Sequence, residues 1–303
     1  MAGEPHRGSL SFDRAAVAGV ELAATSTELR VLGDSVTLIH GLRLPVFGGE
    51  VVLEDVGLAE LARSSRRLTA SVGLHRISLT RVARALGLPP LEGDVGGRFP
   101  RVRFSNGVLA VDGTGELSLF GGTVTMHGIA GSDLLTRYPH LEFSADWEGI
   151  DLAQLTRTFD FGAMSGIVEG HLDDCELFRA VPTGFRGVLR STPRKGVRQR
   201  ISLKAVNNIA IVGTGSGLGF VDRSLRRFIS SYAYQAIGIE MVLSQDHFLL
   251  RGLERRGDRE LFVKGRFPLR LDVVNVEPGT TVSFQSMIQR LGTLDVTTMS
   301  QQP

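Results

Sequence analysis

From Ser35 onward the chain alternates. Apolar side chains take every second position over short stretches that glycine, proline and small polar residues separate. In LTASVGL the apolar positions are Leu68, Ala70, Val72 and Leu74; in LEFSADW they are Leu141, Phe143, Ala145 and Trp147, with Glu142, Ser144, Asp146 and Glu148 between and after them. A two-residue period puts each set on one face of a strand, so these segments read as a sheet with one apolar and one polar face. The same reading predicts a strand pair over Val36 to Leu42 and Val46 to Val56, with Phe47, Gly49, Val51 and Leu53 on one face of the second strand. Leu58 to Arg67 reads as a short surface helix, and residues 1–34 as a poorly defined segment with one strand near Leu29 to Leu32.

The pattern then returns. LPVFGGEVVL at Leu44 to Leu53 recurs as LSLFGGTVTM at Leu117 to Met126, and the offset of 73 residues holds without a gap through Leu68/Leu141, Ile77/Ile150, Gly93/Gly166 and Gly97/Gly170. Phe120, Gly122, Val124 and Met126 therefore repeat the face of Phe47, Gly49, Val51 and Leu53. A repeat of this length is a unit of several elements that stacks on its neighbours, which predicts an elongated molecule. Each copy carries a short helix after Ser78 or Asp151, residue types whose side-chain oxygen can accept from the free amides of a first turn. Gly87 and Pro89 are expected to stop the first helix, and strands re-enter through LEGDVGG and MSGIVEG.

Past Ser191 the offset fails, and residues 191–303 read as a separate β-rich unit with two helices, beside repeats over 35–190. There, Ile201 to Val212 is predicted as one or two strands, Gly217 to Ser230 as a helix, and four strands follow between Ile237 and Val274. A last helix is expected from about Ser283 to Leu291. The fold class predicted is mainly β: an elongated, twisted antiparallel β-groove built from repeated strand and short-helix units.

Composition adds exclusions. Hydrophobic residues at 42% and charged residues at 22% fit neither a disordered chain nor a multispanning membrane protein, and 37 glycines suit many turns. A net charge of +2 gives no general case for a nucleic-acid partner, and the single Cys175 excludes an internal disulfide. The N-terminus lacks the basic start and apolar core of an export signal, and no apolar run reaches the roughly 20 residues of a spanning helix.

Candidate chemistry is sparse. VGTGSGLGF resembles a dinucleotide loop, but a first glycine at Gly213 or Gly215 puts Leu218 or Phe220 where the sixth-position glycine belongs. The seven histidines form no metal-binding spacing, and Asp173-Asp174-Cys175-Glu176 reads as a turn between strands. No nucleophile motif is present, so the chain is expected to be no enzyme and to need no cofactor. Basic residues cluster at Arg194, Lys195 and Arg198, and again at Arg223, Arg226 and Arg227. These suit phosphate head groups, or simply a solvated surface.

The segment LTASVGLHRISLTRVARALGLPPLEGDVGGRF and the Leu-Phe-Gly-Gly strand resemble the AsmA-like proteins of Gram-negative bacteria. GVLRSTPRKGVRQRISLKAVNNIAIV, GIEMVLSQDHFLLRGLE and LRLDVVNVEPGTTVSFQSMIQRL resemble the C-terminal portion of their YdbH-like branch. That resemblance implies a β-groove in the periplasm, associated with membranes, which carries phospholipids from the inner towards the outer membrane. The family's N-terminal anchor helix and most of its length have no counterpart here, as expected of the C-terminal end of a bridge, a separately encoded piece or a shortened reading frame. Expected partners are phospholipids and membrane or envelope proteins, not nucleic acid. The expected groove residues are Phe47, Val51, Leu53, Leu68, Val72, Phe120, Val124, Met126, Phe143 and Trp147, with Arg194, Lys195, Arg198, Arg223, Arg226 and Arg227 for head groups. The competing expectation is an envelope scaffold whose apolar faces are simply core.

Overall fold

In the computed structural model the alternating segments pair almost entirely with their neighbours in sequence. All residues are described except 1–3, 5, 18–19, 63–65, 86–92, 135, 159–160, 180, 215–229, 269 and 292–303. Strands β1 (His6–Val17) and β2 (Val20–Leu32) form a long hairpin where the sequence suggested one short strand. Next to β2, β3 (Ser35–Leu38) and β4 (Leu42–Val46) run end to end as one interrupted strand against β5 (Gly49–Ala59). β6 (Arg67–Ser78) pairs with β5, leads into helix α1 (Leu79–Ala85), and is flanked on its other side by β7 (Asp94–Ser105).

The succession then repeats. β8 (Val108–Val111) and β9 (Thr114–Leu119) make a second interrupted strand, followed by β10 (Gly122–Ser132), β11 (His140–Asp151) and helix α2 (Leu152–Thr158). After the short β12 (Met164–Ser165) come β13 (Ile167–Phe178) and β14 (Val181–Thr192). Bounds and irregularities keep the 73-residue offset: register shifts fall after Glu54 and His127, after Ala70 and Phe143, and after Leu74 and Trp147. Each such bulge adds local twist and bends the sheet, so a flat meander becomes an elongated, twisted groove.

The C-terminal unit comprises β15 (Arg200–Ser202), α3 (Leu203–Thr214), β16 (Ser231–Ser244), β17 (His247–Gly252), β18 (Glu254–Arg256), β19 (Arg259–Gly265), β20 (Val273–Val274), β21 (Thr281–Ser283) and α4 (Phe284–Leu291). β16 extends the sheet from β14, β17 and β21 follow, and β18, β19 and β20 fold back on the other end of β16. Here lies the closed core, where Ile201, Tyr234, Ile237, Leu261, Phe262 and Val263 are fully buried.

Further expectations fail. The described residues of Leu58 to Arg67 form no helix: Gly57 and Leu58 stay in the ladder opposite Thr69 and Leu68, and the hairpin hydrogen bonds outweigh local helix propensity. Phe47 does not continue the strand face but sits in a turn, as does Phe120. Ile201 to Val212 is helix α3 apart from its first two residues: Ser202 Oγ accepts from the Ala205 amide at 3.2 Å, and Ala205, Val206 and Ile209 enter the core at helical spacing. The predicted helix from Gly217 to Ser230 and the stops at Gly87 and Pro89 lie outside the described residues, apart from Ser230.

Candidate functional site

The repeated Phe-Gly-Gly motif builds a joint. Phe47 (φ 51) and Gly48 (φ 77), like Phe120 (φ 48) and Gly121 (φ 73), have the two successive left-handed residues of a two-residue hairpin turn. The turn carbonyl then meets the next strand: Phe47 O accepts from the Ser78 amide at 3.1 Å and Phe120 O from the Asp151 amide at 2.9 Å. The following residue must be glycine for a different reason. A Cβ at Gly49 would lie 2.2 Å from His75 O, and one at Gly122 would lie 2.4 Å from Glu148 O, because the bulges of β6 and β11 press their backbone onto it. The helix amides are served in the same way, Leu79 by Gly93 O at 2.9 Å and Leu152 by Gly166 O at 3.0 Å. Asp151 Oδ1 also accepts from the Ala153 amide at 2.7 Å.

With that joint fixing the register, the apolar positions align across the sheet. One row runs Leu44, Val51, Leu74, Gly97, Leu117, Val124, Trp147, Gly170, Leu189, Ile239 and Gly252, each paired with the next. No polar side chain interrupts it. A second row on the same face runs Leu42, Leu53, Val72 and Phe99, then Gly115, Met126, Ala145, Leu172, Gly187, Met241 and Leu250. The Phe99 ring bridges its one gap by lying over Gly115, and Trp147 covers Gly170 likewise. On the opposite face the intervening row carries Arg43, Arg98, Glu116, Asp146, His171, Glu240 and Arg251. Exposed ion pairs such as Arg43–Glu50 at 2.8 Å decorate that face and add little stability.

The ten groove candidates divide accordingly. Val51, Leu53, Leu68, Val72, Val124, Met126, Phe143 and Trp147 share the apolar face, whereas Phe47 and Phe120 stand at the turns along one margin. All ten are half-buried. Sequence reasoning missed Phe99, Phe104, Leu117 and Leu172, which join the two sets into one surface; their alternation was present, but bulges offset it. At the C-terminal end the same face is closed, with Leu243, Phe248 and Leu250 buried beside α3 and α4, and Phe185, Phe248 and Phe284 ring against ring.

No protein-family model, curated protein or solved structure matches the chain.

Other chemistry is limited. Among the described residues no group of three or more His, Cys, Asp or Glu is placed to hold a metal ion. The acidic run from Asp173 to Glu176 is no turn; it lies inside β13, with a bulge at Asp174 (φ 51) that turns Cys175 inward. Burial, with the Glu176 carboxylate adding to it, pushes the Cys175 thiol up to about 11. Gly213 and Thr214 end α3, and the rest of the glycine loop lies outside the described residues. Arg194, Lys195 and Arg198 are exposed on the loop between β14 and β15, with the Arg194 guanidinium against Gly149; Arg223, Arg226 and Arg227 lie outside the described residues. No helix among the described residues is long and apolar enough to cross a membrane.

Proposed function

We propose that this chain is a non-enzymatic lipid carrier of the Gram-negative envelope, holding phospholipid acyl chains along its apolar face for transport between the inner and outer membranes. What supports this reading is the pair of adjacent rows that cross the sheet without a polar side chain, mostly half-buried apart from Leu44 and Ala145, and that run from Val124 and Trp147 onward against the core that α3 and α4 close. A folded protein seldom leaves so extended an apolar surface without a use for it. Moving a methylene from water to such a face is worth about 0.8 kcal/mol, but a lipid arriving from a bilayer has already gained that energy. Exchange between bilayer and groove is then close to neutral per methylene, which suits carrying rather than storage. The resemblance to AsmA-like proteins supplies the periplasmic setting.

Native mass spectrometry of the chain purified from a Gram-negative host, followed by lipid extraction, tests the reading. Several phospholipids per chain are expected, and Val124→Asp and Phe143→Asp should strip them while the chain stays folded. A compact, lipid-free wild type, or lipid retention unchanged by both charges, would sink the proposal and leave a scaffold.

A further inference from the structure

Two loops meet beside the strand ends that carry α2. Residues 193–199 join β14 to β15, and residues 266–272 join β19 to β20. Between them lies a cleft of about 630 Å³. Pro193 and Gln199 line it from one side and Lys264, Arg266, Phe267 and Arg270 from the other. Neither PRKGVRQR nor KGRFPLRL contains an acid. Among the described residues Arg194, Lys195, Arg198, Lys264, Arg266 and Arg270 form no ion pair. The acid that follows this stretch is already engaged with two residues that line the cleft: Asp272 Oδ1 accepts from Arg256 Nη2 at 3.0 Å and from the Gly265 amide at 2.9 Å.

Each loop also lifts an apolar side chain into solvent among its cations. Phe267 is 73% exposed, the most exposed large hydrophobic residue described, and Val197 is 39% exposed. The Arg270 guanidinium sits 5.7 Å from the Phe267 ring centre, so it holds charge directly beside the ring. An apolar tip within a collar of cations matches one environment well. The head-group region of an anionic bilayer offers phosphates to the cations and acyl boundary to the tip. A single-stranded nucleic acid would stack on Phe267 but has no use for the aliphatic Val197.

We propose that these two loops dock the chain on the surface of an anionic phospholipid bilayer, with Phe267 and Val197 entering the head-group layer and the cleft receiving a lipid phosphate. The proposal deepens the lipid-carrier reading and rests on it for its purpose: it places the point where the ribbon meets a membrane on the margin that carries α2, next to the closed end of the groove. Arg194 links the two regions, since it lies against the β11 bulge at Gly149.

Co-sedimentation of the full chain with vesicles of phosphatidylcholine, with and without phosphatidylglycerol, provides the test. Binding is expected only to the anionic vesicles. Arg266→Gln with Arg270→Gln should weaken it about fivefold for each charge removed. Phe267→Ser should weaken it about tenfold, and that loss should persist in high salt, which screens the cations but not the inserted ring. All three side chains are exposed, so the variants should unfold like the wild type, and native mass spectrometry should find groove lipid unchanged. Loss of vesicle binding with retained lipid separates docking from carrying. The proposal is overturned if the variants bind vesicles as the wild type does, if millimolar inorganic phosphate displaces the protein completely, or if an oligonucleotide binds these residues and vesicles do not.

Discussion

The joint behind the repeat can be broken with one methyl group. Replacing Gly122 by alanine puts a Cβ 2.4 Å from Glu148 O and 2.7 Å from both Gly149 C and Ile150 N. Non-bonded contacts to carbon settle near about 3.5 Å, so the β11 backbone has to retreat by about 1 Å. It cannot do so freely, because the same segment leads into Asp151 N, bonded to Phe120 O, and Leu152 N, bonded to Gly166 O. Overpacking against backbone is worth about 2–3 kcal/mol. The control is Gly107→Ala, where φ is +79° but nothing lies within 4 Å of the new Cβ. There the cost is that of a left-handed alanine, about 1 kcal/mol. Urea unfolding followed by circular dichroism gives the total, and amide exchange at Asp151 and Leu152 shows whether the joint opened. If Gly122→Ala costs no more than Gly107→Ala, or both amides stay protected, the glycine is not there for the bulge and the account of the motif fails.

Three further expectations follow from burial and charge. Leu250→Ala, beneath the closing helices, should cost about 3 kcal/mol, and Val72→Ala on the half-buried face under about 1 kcal/mol, both read from urea midpoints; equal costs would mean the face is covered throughout. Cys175 should ignore a thiol reagent at pH 8 until urea unfolds the chain. Because its folded value is raised to about 11, its contribution to stability is full below the ordinary thiol range near about 8.5 and disappears as pH rises towards the folded value, a loss that Cys175→Val should abolish. The Gln285 amide, 2.9 Å from Asp246 Oδ1, holds that carboxyl below its usual range. Its contribution is therefore present above about pH 4 and is lost as pH falls through the lower folded value, so the protection of the Gln285 amide, taken relative to its intrinsic exchange rate at each pH, should fall in acid, and Asp246→Asn should remove that pH dependence.

The repeat was legible because its cause is local and recurs. Glycine at Gly49 and Gly122, an amide donor at Ser78 and Asp151 and a carbonyl at Gly93 and Gly166 are one contact set printed twice, so comparing the chain with itself finds it. The apolar face of β6 and β11 was legible for a similar reason, since alternation within one strand needs no knowledge of its neighbours. Failures came where tertiary context decides. Val46 to Val56 reads as one strand because nothing in the alternation marks a bulky Phe47 at positive φ. In α3 the β-branched run IAIV suggested a strand, yet the Ser202 cap and the spacing of Ala205, Val206 and Ile209 were the better signals. The pairing of loops 193–199 and 266–272 was out of reach, because only the return of β19 along β16 brings them together.

The constancy of the 73-residue spacing bears on how such a molecule changes length. Every strand of the repeats pairs mainly with its neighbours in sequence, and the two copies present matching cross-sections, bulge for bulge. A whole unit can therefore be cut out or inserted between equivalent positions without a new contact having to be invented, and each unit spans four strand spacings of about 4.8 Å, roughly 19 Å of ribbon. Reach is thus an adjustable property, set by gene duplication in fixed steps, while the closed end stays as it is.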